Sequence, residues 1–89
     1  MKRHRLKTKT EYFKSVGVRK KNFELRKNDR DFQEGDILEL VEIDDDNGLT
    51  GRMKTAIVTY VLQGGVYGLD PEYCIMGMMN ITSAFDELP

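Results

Sequence analysis

Only one segment of this 89-residue chain has the spacing of a helix, and the other periodic segments alternate like strands. The helix is predicted to begin at Thr10, an N-cap residue type, and to end between positions 17 and 20, because Gly17 interrupts it. Phe13 and Val16 are expected to face the core, whereas Tyr12 could face either the core or the surface. Since no second helix can serve as a crossover, the strands are expected to pair mostly antiparallel.

Strand-like composition occurs in five segments, at 3–8, 21–26, 37–43, 53–62 and 73–81. The first has Leu6 as its one strongly apolar residue and is predicted to lie at a sheet edge. A short chain can protect its sheet edges by curling the sheet on itself. The predicted fold class is therefore α+β, mainly β, with a small barrel of five to six mostly antiparallel strands covered by one helix.

The composition, 39% hydrophobic and 33% charged, is typical of a soluble globular domain. No apolar run is long enough to span a bilayer, and no secretion signal follows the basic N-terminus. The single cysteine, Cys74, excludes an internal disulfide and is expected to be buried. We therefore expect one domain over residues 1–82, a C-terminal tail over 83–89, a cytoplasmic location and no membrane partner.

The charges are divided sharply along the chain. Residues 1–30 hold twelve Lys/Arg against three acids, whereas residues 31–89 hold two against twelve. A basic region favours an anionic partner, since lysine and arginine displace the counterions of phosphates. The alternative is a dipolar surface that only keeps the protein soluble, and charge alone does not choose between the two.

Residues 21–36 contain the densest group of polar side chains in the sequence. Their cations suit phosphates and base edges, because arginine offers a two-pronged donor and lysine a point charge. The carboxylate of Glu24 would accept a base amine or hold Arg26 in place. The candidate nucleic-acid-binding residues are Lys21, Glu24, Arg26, Lys27 and Arg30, with Tyr12 (or Tyr67) stacking an unpaired base. The simpler alternative is a Glu24–Arg26 salt bridge on an exposed strand face, contributing at most about 1 kcal/mol.

The sequence predicts neither a metal site nor a cofactor. The three aspartates at 44–46 lack the ligand spacing of an EF-hand loop and are expected to form a solvated turn with Asn47 and Gly48. No cysteine, second histidine or paired acid lies near His4 in the sequence. We therefore expect a hydrogen-bonded, half-buried imidazole at position 4.

Several blocks of residues resemble a small bacterial and phage family, the DUF3850 domains, which are ASCH-like members of the PUA-like superfamily. The blocks are His4-x-Leu6-Lys7, Glu11-Tyr12-Phe13-x-x-Val16, Lys21-x-Phe23-Glu24-x-Arg26 through Asp36, and Thr50-Gly51-Arg52. The resemblance implies a PUA-like β-barrel. The wider ASCH signature, Gly-x-Lys-x-x-Glu-x-Arg, is matched by Lys21, Glu24 and Arg26, but Arg19 stands where glycine is expected. That family is proposed to bind RNA between the barrel and the helix.

The resemblance also implies a second function, because some ASCH-fold proteins look like amidohydrolases acting on an acylated nucleoside. Lys21 matches their lysine, but Glu24 stands where they have a threonine nucleophile. Lys21 and Glu24 could still act as an acid/base pair. A third alternative is a protein-interaction domain of phage or mobile-element origin that uses its apolar C-terminal strand. We favour a monomeric, non-enzymatic module that binds RNA, with single-stranded RNA among the candidates, or another anionic ligand.

Overall fold

The computed structural model describes residues 1–82, so the predicted tail at 83–89 lies outside the described part. Five strands and one helix follow in the predicted order. They are β1 (Arg3–Lys9), α1 (Thr10–Gly17), β2 (Phe23–Lys27), β3 (Ile37–Ile43), β4 (Leu49–Gln63) and β5 (Tyr73–Asn80). The mainly β fold class is thereby confirmed.

The strands form one sheet in the order β1-β3-β4-β5-β2, and the sheet curls strongly into a half-barrel. β1 pairs with β3 in parallel, and the other three pairings are antiparallel. The predicted edge position of β1 is confirmed, and β2 forms the opposite edge. Side chains bridge the gap between these edges, because Arg26 donates to the Lys7 carbonyl at 2.9 Å and Arg30 donates to the Arg5 carbonyl at 2.8 Å.

The core lies inside the curl, and Val16 of α1 packs into it as predicted. Phe13 is buried too, and Cys74 is fully buried. Burial raises the pKa of the Cys74 thiol. The buried hydrophobic cluster comprises Leu6, Val16, Phe32, Leu38, Leu40, Ala56, Val58, Cys74, Met76 and Met78.

A buried histidine lies at the start of β1, and it is less exposed than the half-buried position predicted. His4 is 6% exposed, and its Nε2 lies 2.8 Å from Asp36 Oδ2. Burial alone would raise the pKa of Asp36, but hydrogen bonds from His4 and from the Lys2 and Gln33 amides outweigh it and lower the pKa to about 2. The hydrogen-bonded state of His4 is confirmed, and its partner is an acid 32 residues further along the chain.

Several boundaries differ from the sequence prediction, most of them by one or two residues, and the differences at the starts of α1 and β4 have clear causes. Thr10 is the first helical residue and Lys9 is the N-cap, because the Thr10 hydroxyl donates to the Ile43 carbonyl at 3.1 Å instead of capping the helix. β4 begins at Leu49 rather than at 53, because pairing with β3 continues past a bulge to the Ile43–Leu49 pair. Within residues 1–82 no helix is long and apolar enough to cross a membrane.

Candidate functional site

β2 has the predicted alternation of side chains, but its polar side faces inward. Glu24 is only 3% exposed, whereas Phe23 and Leu25 on the outer face are 45% and 51% exposed. The Glu24–Arg26 salt bridge is present, but the expectation that it lies on an exposed strand face is wrong. A carboxylate can be buried here because cations on both sides compensate for the loss of water.

Each oxygen of the Glu24 carboxylate accepts from a different cation. Lys21 Nζ lies 2.5 Å from Oε1, and Arg26 Nε lies 2.8 Å from Oε2. Further hydrogen bonds hold both cations, since Lys21 donates to the Phe23 carbonyl at 2.7 Å and Arg26 donates to the Lys7 carbonyl at 2.9 Å. This ion triad of Lys21, Glu24 and Arg26 keeps one net positive charge in a fixed geometry.

Two aromatic rings flank the ammonium group of Lys21. Its Nζ lies 5.6 Å from the ring centre of Tyr12 and 5.1 Å from that of Phe23, within the range of cation–π attraction. Tyr12 is 47% exposed, so it lies at the surface and not in the core. Both rings therefore present part of their apolar area to solvent beside a fixed cation.

The triad and these rings form the wall of a cleft of about 430 Å³ between β1, α1 and β2. Among the described residues that line it, four are cationic and one is a carboxylate, which gives this lining a net charge of +3. We call this surface the basic cleft, and it is lined by Lys7, Thr8, Lys9, Tyr12, Lys21, Phe23, Glu24, Leu25 and Arg26.

The structure brings together four of the six predicted binding residues, namely Lys21, Glu24, Arg26 and Tyr12. Arg30 is held against the β1 carbonyl of Arg5, outside the lining of the basic cleft. Lys27 is exposed at the end of β2, also outside it. Tyr67, at 96% exposure, lies in the loop between β4 and β5 and is not a lining residue either.

Sequence reasoning missed two cations of the basic cleft, Lys7 and Lys9. They alternate with buried residues along β1, and this pattern indicated that they face solvent. It could not indicate what they face, because β1 and β2 are the two ends of the sheet order and approach each other only through its curl.

Among the described residues that line the basic cleft, Thr8 alone has an aliphatic hydroxyl, which makes it the candidate nucleophile. Thr8 lines the cleft, and its Oγ1 is 3.5 Å from Arg26 Nη2. However, Thr8 is only 2% exposed and its hydroxyl donates to the Leu6 carbonyl at 3.4 Å. Both oxygens of Glu24 accept from cations, so Glu24 is not positioned as a free base beside the Thr8 hydroxyl.

A second, smaller cavity of about 220 Å³ opens on the other side of Lys21, which lines both cavities. We call it the Arg19 cavity. Arg19 has φ of 62°, in the left-handed region that glycine adopts without strain. The cavity is lined by Val16, Arg19, Lys21, Asn22, Met78, Met79 and Asn80.

A further buried acid, Glu42, is fully enclosed beneath α1. Arg52 donates to both of its oxygens, at 2.7 and 2.9 Å, and Thr50 donates at 2.6 Å. Burial alone would raise the pKa of Glu42, but these hydrogen bonds outweigh it and lower the pKa. With all its partners inside the protein, Glu42 has a structural role.

Residues 1–82 contain no group of three His, Cys, Asp or Glu side chains that could hold a metal ion.

Comparison with known protein families gives one match over most of the chain. A family model described as "Domain of unknown function (DUF3850)" matches residues 3–78, which include both cavities except for Met79 and Asn80. None of the curated proteins compared with the chain matches it.

Proposed function

The chain belongs to the DUF3850 family, and on that premise we propose that it is an ASCH-like, non-enzymatic module that binds single-stranded RNA in the basic cleft. One observation carries the proposal: a concave surface with a net charge of +3 is lined by two half-exposed aromatic rings. Fixed cations next to accessible aromatic faces are what an unpaired nucleotide requires, since its phosphate is anionic and its base stacks.

The cations of the basic cleft come from β1 and from β2 with the residues just before it, and they differ in their contacts with the rest of the protein. Lys21 and Arg26 are fixed by Glu24, so little conformational entropy is lost when a phosphate binds to them. Lys7 and Lys9 lie on the outer side of β1 and are exposed. Phosphate contacts from both walls would hold the RNA backbone along the cleft, as arginine and lysine do in other nucleic-acid interfaces.

The size of the basic cleft favours a single strand over a duplex. Its volume of about 430 Å³ lies near the lower end of the range for small-ligand pockets, roughly 300–1,000 Å³. One nucleotide fills such a space, whereas a paired base would keep its stacking partners and could not enter. The proposed ligand is therefore an unpaired nucleotide within a longer strand.

Fluorescence anisotropy with labelled single-stranded RNA and DNA, at low and at physiological salt, tests this proposal. The first variant pair, Lys7→Ala/Lys9→Ala, removes two cleft cations without touching the ion triad. Its matched control, Lys14→Ala/Lys20→Ala, removes two exposed lysines that lie outside the cleft lining. Each lost phosphate contact on a single strand should reduce the slope of log affinity against log salt by about 0.7.

We expect saturable RNA binding at physiological salt that weakens about tenfold or more in the cleft variant and little in the control. Lys21→Ala/Arg26→Ala should abolish binding, with circular dichroism confirming that the variant is folded. Equal losses of affinity in the cleft and control variants, or binding confined to low salt, would mean that the basic segment attracts RNA only through its overall charge and has no specific site. Hydrolysis of an acylated nucleoside by the wild type, lost in Lys21→Ala, would favour an amidohydrolase instead.

A further inference from the structure

We infer that the Arg19 cavity receives the nucleotide next to the one in the basic cleft, so that the protein reads two consecutive unpaired nucleotides of one RNA strand. This inference rests on the proposed function. Its first support is continuity, because Lys21 lines both cavities. A strand whose phosphate contacts Lys21 from the basic cleft would therefore extend directly into the Arg19 cavity.

The lining of the Arg19 cavity has the groups that recognise a base. Within residues 1–82 the side-chain amide of Asn22 has no protein partner, and Asn80 uses only its Oδ1, which accepts from the Thr82 amide at 2.9 Å. An amide side chain offers a donor and an acceptor together, which is how asparagine reads a base edge. Met78 and Met79 supply an apolar, polarizable wall for the plane of the base, and Met79 is 54% exposed.

Arg19 supplies the cation for the second phosphate. Its side chain is in no ion pair within the described residues, and it is exposed at the mouth of the cavity. An arginine can bind a phosphate with two parallel hydrogen bonds, and among the described residues no carboxylate lines this cavity to compete for it. Arg19 could therefore bind the second phosphate without giving up an ion pair within the described residues.

The backbone at Arg19 gives an independent reason to look for a function here. Its φ of 62° is unfavourable for an arginine, and the turn is fixed by three hydrogen bonds. The amides of Lys20 and Lys21 both donate to the Ser15 carbonyl, and the amide of Arg19 donates to the Val16 carbonyl. Glycine, which the ASCH signature has at this position, would adopt this conformation freely. The bonds from the Arg19 and Lys20 amides are those of an ordinary helix end closed by a left-handed residue, so what calls for an explanation is the choice of arginine over glycine.

The test uses Arg19→Gly, which removes the guanidinium and relieves the backbone at once. We expect the variant to have a Tm equal to or above that of the wild type, yet to bind RNA more weakly. Lys20→Ala is the matched control, because it removes a neighbouring exposed cation that lines neither cavity. A clear drop in the Tm of Arg19→Gly would show that the arginine serves packing within the protein, and would overturn the inference.

Two-dimensional NMR titrations with a nucleoside 5′-monophosphate and with a 5′-phosphorylated dinucleotide separate the two cavities. The wild type should bind the dinucleotide about tenfold more tightly, which corresponds to about 1.4 kcal/mol. Arg19→Gly should lose that advantage and keep its affinity for the mononucleotide. The side-chain amide signals of Asn22 and Asn80 should shift only with the dinucleotide.

The outcomes distinguish this inference from the proposed function on which it rests. Equal affinity of the wild type for both probes, with Asn22 and Asn80 unshifted, would overturn the two-nucleotide inference and leave the basic cleft as a binding site. No binding of either probe, together with no binding of longer RNA, would overturn both. Dinucleotide binding that is unaffected by Arg19→Gly would place the second contact elsewhere and refute the role of Arg19.

Discussion

Replacing Glu24 tests whether the ion triad is a buried structural unit or a surface salt bridge. Glu24→Gln keeps the shape of the side chain but removes its charge, so Lys21 and Arg26 would remain close together without a counterion. The carboxylate is 4% exposed, and the side chains of Lys21 and Arg26 are 16% and 27% exposed. Water therefore cannot fully replace the lost partner.

The magnitude follows from the two charge-assisted hydrogen bonds, at 2.5 and 2.8 Å. Each such bond contributes about 1.5–3 kcal/mol, and the amide of glutamine retains one neutral acceptor. Partial exposure of both cations reduces the cost further, so we expect a loss of about 2–3 kcal/mol in the free energy of unfolding. In a domain of this size that corresponds to a fall in Tm of about 10–20 °C.

Glu39→Gln is the matched control, because Glu39 also forms ion pairs with two cations, one on each oxygen. Arg3 Nη2 lies 3.2 Å from Oε2 and Arg5 Nε lies 3.7 Å from Oε1. Here the arginines are 56% and 69% exposed, so the expected loss is below about 1 kcal/mol. Urea unfolding followed by circular dichroism gives both values with the same probe.

Equal and small losses in Glu24→Gln and Glu39→Gln would refute this reasoning, since the Glu24 triad would then behave as an ordinary surface ion pair. The measurement also bears on the proposed function. If the triad contributes several kcal/mol to the free energy of unfolding, it holds its two cations in place before a ligand binds. If its contribution is close to zero, the cations are mobile and the argument that the binding site is preorganised fails.

Two further predictions concern groups outside the cleft. The pKa of Asp36 is lowered from 3.8 to about 2, so its contribution to stability is complete above the unfolded-state pKa and is lost as the pH falls toward the folded-state pKa. Between about pH 5 and pH 2 the free energy of unfolding of the wild type should therefore fall by about 2 kcal/mol more than that of Asp36→Asn. Parallel curves of unfolding free energy against pH would contradict the prediction. Cys74 is fully buried and the pKa of its thiol is raised, so iodoacetamide at neutral pH should label it only after unfolding in urea. Mass spectrometry measures the labelling, and rapid labelling of the folded protein would contradict the prediction.

The sequence by itself determined the elements of the fold, because local propensities and patterns act over a few residues. A single helical spacing followed by strand alternations predicted one helix and five strands, and the sparse apolar content of β1 predicted an edge. The sequence also grouped Lys21, Glu24 and Arg26 as one candidate site, since they lie within six residues of each other on one strand and its approach.

Only the tertiary structure decided which groups meet and which face is buried. Alternation gives β2 two faces but does not indicate which face is buried. The face with the apolar Phe23 is the exposed one, because two cations compensate for the cost of burying the Glu24 carboxylate on the other face. The curl of the sheet brings Lys7 of one edge opposite the other edge. His4 meets Asp36 across 32 residues because β1 pairs in parallel with β3. Such contacts depend on which strands pair and on how the whole sheet closes, and no local pattern carries that information.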